Sequence, residues 1–298
     1  MASKPIVAGT DGSEESLRAV EWAAREAVLR GAPLRIVAAA AVLPRMMSSR
    51  ASAGAAAGEY DTVTDFIVKQ RDRALAAAAE RAARTAPDLL MDTDPLSGAP
   101  AEAVTESGAG ALMLVLGSRG MGAFAALVLG SVSRYAASHA SCPVVAVRDD
   151  NPGAHGLVGV GVGVGDADGC GDALTFAFEE ASLRRAGLLA LHAWHTPQTE
   201  ISRAGEAFTA PGTQAAATDA ARQLEGLLDS WRAKYPDVLV SHEVVHGHPA
   251  RALIGLSARA DLVVLGRHAR HAGVPGPGSA RHAVLSHAHG PVVTVPSS

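Results

Sequence analysis

The sequence predicts an α/β protein with two tandem domains, each built on a doubly wound parallel β-sheet. Three observations carry this prediction. The chain has 298 residues, strand-like apolar runs alternate with helix-like segments, and the second half repeats the first. A chain of this length can form two domains that each bury a core of their own. Continuous apolar strands are typical of parallel sheets that helices cover on both faces.

The elements of the first half alternate between strand and helix. Strands are predicted at 5–10, 34–42, 89–94, 111–116 and 144–147. Helices are predicted at 13–30, at about 62–85, from residue 100 and from residue 130. The low-complexity stretch 48–58 between the second strand and the second helix is predicted to be a loop.

Capping residues define the ends of two of these helices. Ser13 is expected to cap the first helix and Gly31 to end it. Either Ser131 or Ser133 is expected to cap the last helix of the first half.

Four stretches of the first half return in the same order in the second. They are 22–27 as 176–181, 98–103 as 247–252, 111–117 as 261–266, and 130–147 as 278–295. The last pair keeps its spacing without a gap, and collinear matches of this length are hard to obtain by chance. The polar linker 149–155 contains Pro and Gly, so we expect domains at 1–150 and 151–298.

Composition argues against several classes of protein. The formal net charge of −4 and the absence of a Lys/Arg run argue against a nucleic-acid or membrane partner. The sequence has no transmembrane-length apolar segment and its N-terminus lacks a signal-peptide core, so a cytoplasmic protein is expected. Cys142 and Cys170 have neither disulfide-framework nor zinc-ligand spacing, and we interpret them as reduced structural thiols.

Glycines follow the predicted strand 111–116 at Gly117, Gly120 and Gly130, and Ser131 follows the last of them. A glycine-rich turn between a strand and a helix N-terminus can hold an anion with backbone N–H groups. Glycine also lets a phosphate approach the main chain because it has no Cβ. The first half is therefore predicted to bind a nucleotide, with Asp11, at another strand's carboxyl end, facing the same crevice.

These motifs resemble those of the universal stress protein family in its tandem, two-domain form. The resemblance rests on Ile-Val-Ala-Gly-Thr-Asp-Gly-Ser at 6–13 and on the pattern Gly117-x2-Gly120-x9-Gly130-Ser131. It covers essentially the whole chain, and the complete glycine pattern is that of the members that bind ATP. The resemblance implies Rossmann-like domains, ATP as ligand with or without Mg²⁺, and a regulatory role in the stress response. It also implies self-association, as a homodimer or as an intramolecular pseudo-dimer of the two halves.

The resemblance also implies roles for individual residues. Asp11 would lie by the ribose and adenine, close to Ala39, and the glycine turn would hold the triphosphate. Arg119 could reach a phosphate oxygen or remain solvated. The implied nucleotide-binding set is Thr10, Asp11, Ala39, Gly117, Arg119, Gly120, Gly130, Ser131, Val132 and Ser133.

The second half departs from this pattern. Gly165 stands where the Asp is expected, with Asp166 one place later, and Ala269 replaces the middle glycine. Pro275 and Pro277 lie in a loop that is one residue shorter, and each removes an N–H donor that a phosphate cradle needs. The second site is therefore expected to be degenerate and kept for packing. Its candidate residues are Asp166, Gly266, Gly278 and Ser279.

Other motifs give weaker evidence of function. The Gly-Val alternation at 159–165 does not fit Gly-x-Gly-x-x-Gly, and it is better explained by a strand whose glycine face packs closely on a neighbour. No Gly-x4-Gly-Lys-Ser/Thr motif is present. The eight histidines between residues 242 and 289 are interpreted as solvated or singly hydrogen-bonded, with a metal or pH-sensing role as the alternative. They are His242, His246, His248, His268, His271, His282, His287 and His289.

No catalytic residue is assigned, because no serine lies in a Gly-x-Ser-x-Gly elbow and no base for water is evident. ATP hydrolysis, if it occurs, is expected to be slow. Two alternatives remain. One is a hydrolase or nucleotidyl transferase in which Asp11 helps to place a metal ion, and the other is an interaction module that binds no nucleotide.

Overall fold

The computed structural model describes residues 3–41, 56–120, 129–148, 154–163, 167–194, 210–267 and 280–297. The chain divides into two compact units, Met1–Arg148 and Asp149–Ser298. Within these described ranges, no helix combines the length and the apolar character that crossing a membrane requires.

The first unit is a parallel five-stranded sheet with connecting helices, as the alternation predicts. Its strands lie in the order β3-β2-β1-β4-β5, and every neighbouring pair is parallel. The order reverses at β1, so the sheet is doubly wound and its switch point lies between β1 and β4. The elements are β1 (Ile6–Gly9), α1 (Glu14–Arg30), β2 (Leu34–Ala40), α2 (Ala56–Thr85), β3 (Met91–Ser97), α3 (Pro100–Ser107), β4 (Met113–Gly117), α4 (Ser131–His139) and β5 (Val144–Val147).

Two predicted boundaries of the first unit are wrong by more than two residues. Helix α2 begins at Ala56, inside the predicted loop 48–58, whose residues 48–55 lie outside the described part of the chain. Strand β3 extends to Ser97 instead of ending near residue 94, because all of its residues pair with β2, from Leu34 opposite Met91 to Ala40 opposite Ser97. Pairing with a neighbouring strand is a tertiary effect, and strand propensity alone does not report it.

Both predicted caps of α1 are confirmed. The Oγ of Ser13 accepts a hydrogen bond from the backbone N–H of Ser16 at 3.3 Å. Gly31 ends the helix in the left-handed region, with φ at 59°, which glycine adopts without a Cβ penalty. The cap at Ser13 fixes where α1 starts, and therefore how the chain leaves the carboxyl end of β1.

The core of the first unit lies on the two faces of its sheet. The largest of its side chains that are fully buried are Ile6, Leu34, Ile36, Met113 and Leu114. Each contributes about 1.5–3 kcal/mol to folding through removal of apolar surface from water. Because β1 and β4 are buried on both faces, they form a rigid support for the turns at their carboxyl ends.

The second unit repeats this topology element by element. Its parallel strands lie in the order β8-β7-β6-β9-β10, which corresponds to β3-β2-β1-β4-β5 of the first unit. The elements are β6 (Leu157–Gly161), α5 (Ala167–Arg184), β7 (Gly187–Trp194), α6 (Ala210–Lys234), β8 (Val240–His246), α7 (Pro249–Ser257), β9 (Leu262–Gly266), α8 (Ala280–His287) and β10 (Val292–Val295).

The interpretation of the Gly-Val alternation in β6 is confirmed. A Cβ on Gly159 would lie 2.7 Å from Leu256 Cδ2, and one on Gly161 would lie 3.1 Å from Leu253 Cδ2. Both leucines belong to α7. The glycine face of β6 therefore lets α7 approach the sheet closely, and the alternation reflects packing.

Histidines of the second unit take part in local contacts. His248 is the N-cap of α7, and its Nδ1 accepts a hydrogen bond from the backbone N–H of Ala250 at 3.3 Å. The ring of His246 lies 4.6 Å from that of Trp194. His268 and His271 lie outside the described residues. Among the residues that the structure does describe, no three His, Cys, Asp or Glu side chains form a metal-binding group.

Candidate functional site

A cavity of about 360 Å³ lies at the carboxyl edge of the sheet of the first unit. It is bounded by the ends of β1, β2 and β4 and by the N-termini of α3 and α4. All ten residues of the predicted nucleotide-binding set line it: Thr10, Asp11, Ala39, Gly117, Arg119, Gly120, Gly130, Ser131, Val132 and Ser133. The structure thus brings together residues that are up to 123 positions apart, from Thr10 to Ser133.

Five further residues line the same cavity: Gly9, Ser16, Pro100, Val104 and Leu116. Sequence reasoning missed them as site residues. Pro100 had a usable signal, since the segment 98–103 returns at 247–252 in the second half. Val104 and Leu116 look like ordinary core residues in the sequence, and only the fold shows that they form the wall of a cavity.

The turn between β1 and α1 holds Asp11 in a network of hydrogen bonds. Asp11 Oδ1 accepts from the backbone N–H of Ser13 at 3.0 Å and from Ser13 Oγ at 2.6 Å. Thr10 Oγ1 accepts from the N–H of Gly12 at 3.1 Å and lies 3.0 Å from Ser16 Oγ. Gly12 has a φ of 85°, which allows this tight turn. The carboxylate is therefore held in place at the edge of the cavity.

The hydroxyl group of Ser13 has two roles in this turn. Ser13 both caps α1 and fixes Asp11, so its removal combines a loss of stability with a freer carboxylate. We expect Ser13→Ala to lower the free energy of unfolding by about 1 kcal/mol. If Asp11 contacts ligand, affinity for that ligand should fall about fivefold, which corresponds to about 1 kcal/mol. Chemical denaturation and ligand titration measure the two effects.

Ser13→Thr is the matched control, because it keeps the hydroxyl that makes both bonds. It should retain most of the stability and of the affinity. Equal losses in the two variants would mean that the hydroxyl is not the group responsible.

Two positions of the glycine turn after β4 are crowded by neighbouring atoms. A Cβ on Gly117 would lie 3.0 Å from the backbone carbon and oxygen of Glu15. A Cβ on Gly120 would overlap Asp11 Oδ2. At Gly130 the nearest atom, Ser118 O, would be 3.6 Å away, which is an ordinary contact. Gly117 thus lies against the backbone of α1, whereas Gly120 leaves space for the carboxylate of Asp11.

Helix α4 begins at the cavity, but its predicted cap is wrong. Gly130 is the N-cap, with no side-chain hydrogen bond, instead of Ser131 or Ser133. Ser133 Oγ donates to the carbonyl oxygen of Gly117 at 2.6 Å and so fastens the helix to the end of β4. The sequence could not show this, because the carbonyl that Ser133 contacts lies 16 residues away.

The N-terminal turn of α4 faces the cavity. The first amides of a helix have no acceptor within that helix, and the macrodipole makes this end partly positive. Residues 131–133 line the cavity. The N–H of Gly130 donates a hydrogen bond to the carbonyl oxygen of Ser118 at 2.8 Å. This end of the cavity is suited to an anion, and the side chain of Arg119, which is exposed and lines the cavity, adds a positive charge.

Another part of the cavity lining is apolar. It is formed by Ala39 of β2, Pro100 and Val104 of α3, and Leu116 of β4. Val104 and Leu116 are at most 5% exposed, so this wall is firmly packed. A cavity that combines an apolar wall with an anion-binding end is suited to an amphiphilic ligand with a flat apolar group and a charged tail.

The corresponding cavity of the second unit is smaller, about 140 Å³. Gly161, Ala193, Pro249, Leu253 and Leu265 take the positions of Gly9, Ala39, Pro100, Val104 and Leu116. Gly266 lines this cavity as predicted. The other second-half candidates, Asp166, Gly278 and Ser279, lie outside the described residues, as do Ala269, Pro275 and Pro277.

The strand register corrects one sequence alignment. The N–H of Thr10 donates to Val37 O, and the N–H of Val162 donates to the equivalent Leu191 O. Val162 therefore takes the position of Thr10, and the following residue, Gly163, takes that of Asp11. The sequence alignment had placed Gly165 there. The repeated Gly-Val dipeptide allowed a shift by two residues, and the pairing with β7 removes that ambiguity.

Cys170 replaces Ser16 in the second unit. The N–H of Gly163 donates to Cys170 Sγ at 3.4 Å, where the N–H of Asp11 donates to Ser16 Oγ at 3.3 Å. The second turn is two residues longer, since Gly163 and Cys170 are seven apart whereas Asp11 and Ser16 are five apart. Both cysteines of the chain are buried thiols, in line with the structural role predicted for them.

Comparison with known proteins places both halves in one family. The model of the universal stress protein family matches residues 2–148 and 159–296. Universal stress protein Rv2005c of Mycobacterium tuberculosis is 35% identical over 303 residues, which covers 98% of this chain and 97% of that protein. A universal stress protein of Mycolicibacterium smegmatis is 33% identical over 278 residues, covering 89% of this chain and 87% of that protein.

Solved structures agree on the fold. The crystal structure of a universal stress protein from Archaeoglobus fulgidus aligns with a TM-score of 0.68 at 18% identity, covering 100% of this chain and 97% of that one. The family model matches each half separately, and the relatives extend over nearly the full length. The chain therefore belongs to the universal stress protein family and carries two copies of its domain in tandem.

Proposed function

We propose that the first unit binds ATP in the 360 Å³ cavity and that the protein is a cytoplasmic regulator of the stress response. In this proposal the nucleotide is a ligand or switch and is not turned over rapidly. The observation that carries it is the convergence of all ten predicted residues on one cavity. That cavity combines an apolar wall with the N-terminus of helix α4.

The dimensions and lining of the cavity support a nucleotide. Its volume lies within the range of about 300–1,000 Å³ that is typical of small-molecule sites. The apolar wall of Ala39, Pro100 and Val104 would contact the adenine, and Asp11, with its oxygens as acceptors, would contact the ribose hydroxyls. The triphosphate would lie along the glycine turn and the first turn of α4.

The glycines of the turn support the phosphate end in particular. Gly117, Gly120 and Gly130 line the cavity, and none of them has a Cβ that would keep a phosphate away from the main chain. Mg²⁺ would be held chiefly by phosphate oxygens and water. Among the described residues that line the cavity, Asp11 is the one carboxylate.

A regulatory role is supported by the scarcity of acid–base groups. No His, Glu or Lys belongs to the described lining of the cavity. Asp11 Oδ1 accepts two hydrogen bonds from Ser13, so this oxygen is not available to accept a proton from water. Binding at micromolar strength would supply about 8 kcal/mol, enough to favour one conformational state of the protein over another.

Calorimetric titration of the nucleotide-stripped full chain with ATP tests this proposal. We expect one ATP per chain, because the second cavity is smaller and has Gly163 where the first has Asp11. GTP is the matched ligand, because it has the same triphosphate and a different base. The difference in affinity between ATP and GTP measures how far the apolar wall selects the base.

Three outcomes would contradict the proposal in different ways. Two equivalent sites would show that the second cavity also binds nucleotide. No binding by a folded chain would favour an interaction module. Rapid Mg²⁺-dependent hydrolysis that Asp11→Asn abolishes would favour an enzyme.

A further inference from the structure

Two arginine side chains, Arg267 and Arg281, line the cavity of the second unit. Arg267 directly follows β9, and its N–H donates to Val295 O at 2.8 Å. Arg281 is the second residue of α8, and its Nη1 donates to the carbonyl oxygen of Arg267 at 2.5 Å. The hydrogen bond holds the two residues next to each other at the carboxyl edge of the sheet.

The same positions in the first unit carry serines. Ser118 directly follows β4, and its N–H donates to Val147 O at 3.0 Å, as that of Arg267 does to Val295 O. Ser133 takes the position of Arg281, and its Oγ donates to Gly117 O at 2.6 Å. In both units the helix is thus hydrogen-bonded to the end of the strand. The donor is a hydroxyl in the first unit and a guanidinium in the second.

These replacements change the charge of the cavity. Two neutral serines become two cationic arginines, while the acidic position of Asp11 becomes Gly163. Of the described residues that line the second cavity, none is Asp or Glu, and all except the two arginines are glycine or apolar. The described lining of the second cavity therefore carries two positive charges and no negative one, and this cavity is smaller than the first.

The two guanidinium groups influence each other. Burial lowers the pKa of Arg281, and the positive charge of Arg267 lowers it further. Guanidinium groups nonetheless remain charged at neutral pH, because their ordinary pKa is above about 12. Two like charges held together in a partly buried site repel each other, and a bound anion offsets that repulsion.

We infer that the second unit binds a phosphate-class anion through Arg267 and Arg281. The anion is either free inorganic phosphate or the phosphate group of a small phosphomonoester. A cavity of about 140 Å³ has the volume of four to five water molecules at about 30 Å³ each, which suits one phosphate group. Arginine is the side chain best matched to phosphate, because its planar fork donates two parallel hydrogen bonds to two oxygens.

The test follows the Nε–Hε signals of Arg267 and Arg281 by NMR in the ¹⁵N-labelled full chain during titration with inorganic phosphate. Loss of a signal in Arg267→Gln or Arg281→Gln assigns it. These signals report on the second cavity alone, so phosphate that binds in the first unit does not confuse the result. We expect saturable shifts of both signals with Kd of about 1 mM or tighter.

Variants and a change of salt concentration test whether the phosphate affinity depends on these two arginines. Arg281→Gln should weaken phosphate binding, followed through the Arg267 signal, at least about tenfold. Raising sodium chloride from about 50 to about 300 mM should also weaken it, because the attraction is electrostatic. Arg259→Gln is the matched control. That arginine is exposed, pairs with Glu243 at 2.7 Å and is not among the lining residues, so its removal should leave the affinity unchanged.

A second titration with glycerol 3-phosphate distinguishes the two sources of the phosphate group. Equal affinity supports free phosphate, and tighter binding of the ester supports a phosphomonoester. The inference is overturned if neither signal shifts saturably, or if each single variant binds phosphate as tightly as the natural chain. It is also overturned if ATP shifts both signals at lower concentration than phosphate and the ester do. The ATP affinity of the first unit, measured by calorimetry, should be unchanged in both arginine variants. Failure of the phosphate inference, which concerns the second unit, is therefore distinguishable from failure of the ATP proposal.

Discussion

Gly117→Ala is expected to weaken ATP binding at least about 100-fold, which corresponds to about 2.7 kcal/mol. A Cβ at this position would lie 3.0 Å from the backbone carbon and oxygen of Glu15, which cannot rotate away as a side chain can. The end of β4 and the first turn of α1 must therefore separate. This displaces the carbonyl oxygen of Gly117, which anchors α4 through Ser133. Overpacking of this kind costs about 1–3 kcal/mol of stability.

Calorimetry measures the binding, and chemical denaturation measures the stability of the same variant. Gly255→Ala is the matched control, because a Cβ there, in α7, meets no other atom within 4 Å. It should leave ATP binding unchanged and raise stability by about 0.5–1 kcal/mol, since alanine favours helix. Unchanged ATP affinity in a destabilised Gly117→Ala chain would show that the nucleotide binds elsewhere.

Gly120→Ala separates binding from folding. A Cβ at this position collides only with the end of the Asp11 side chain, which can turn aside. Stability should therefore change little, whereas the carboxylate moves from its position at the cavity. A loss of ATP affinity without a loss of stability would tie the effect to Asp11, and unchanged affinity would remove Asp11 from the proposed site.

Phe178→Ala is expected to lower the free energy of unfolding of the second unit by about 3–5 kcal/mol. Phe178 is fully buried in α5. Its ring centroid lies 5.5 Å from that of Tyr235 and 6.5 Å from that of Trp231. Removal of the ring leaves a cavity and ends both aromatic contacts, which join α5 to the C-terminal end of α6. Guanidinium denaturation followed by tryptophan fluorescence measures the change, since Trp231 lies at the contact.

Phe66→Ala is the matched control in helix α2. Phe66 is 57% exposed, so the same substitution should change stability by no more than about 0.5 kcal/mol. Similar losses in both variants would show that burial of Phe178 does not account for its contribution.

Much of the fold could be predicted from sequence because its signals are local or repeated. Apolar runs placed the strands, and Ser13 and Gly31 placed the ends of α1, as the structure confirms. The glycines at 117, 120 and 130 were identified by their place between a predicted strand and a predicted helix and by their spacing, and all three line one cavity. Their role is local to the backbone, so the residue type itself carries the information.

The failures have a common cause in contacts between distant segments. The end of β3 was fixed by pairing with β2 and not by its own residues. Ser133 contacts the carbonyl oxygen of Gly117 instead of capping α4. The position equivalent to Asp11 in the repetitive strand β6 was misplaced by two residues, because only its register against β7 distinguishes one Gly-Val step from the next.

The sequence by itself determined the family, the tandem repeat and the glycine turn, because these depend on residue identity at fixed spacing. Only the tertiary structure decided what completes each cavity. Val104 and Leu116 become a wall because they belong to one packed core cluster. Arg267 and Arg281 lie together because Arg281 of α8 is hydrogen-bonded to the carbonyl oxygen of Arg267 at the end of β9. Cavity volume and local charge are sums over segments far apart in the chain, so no single stretch of sequence contains them.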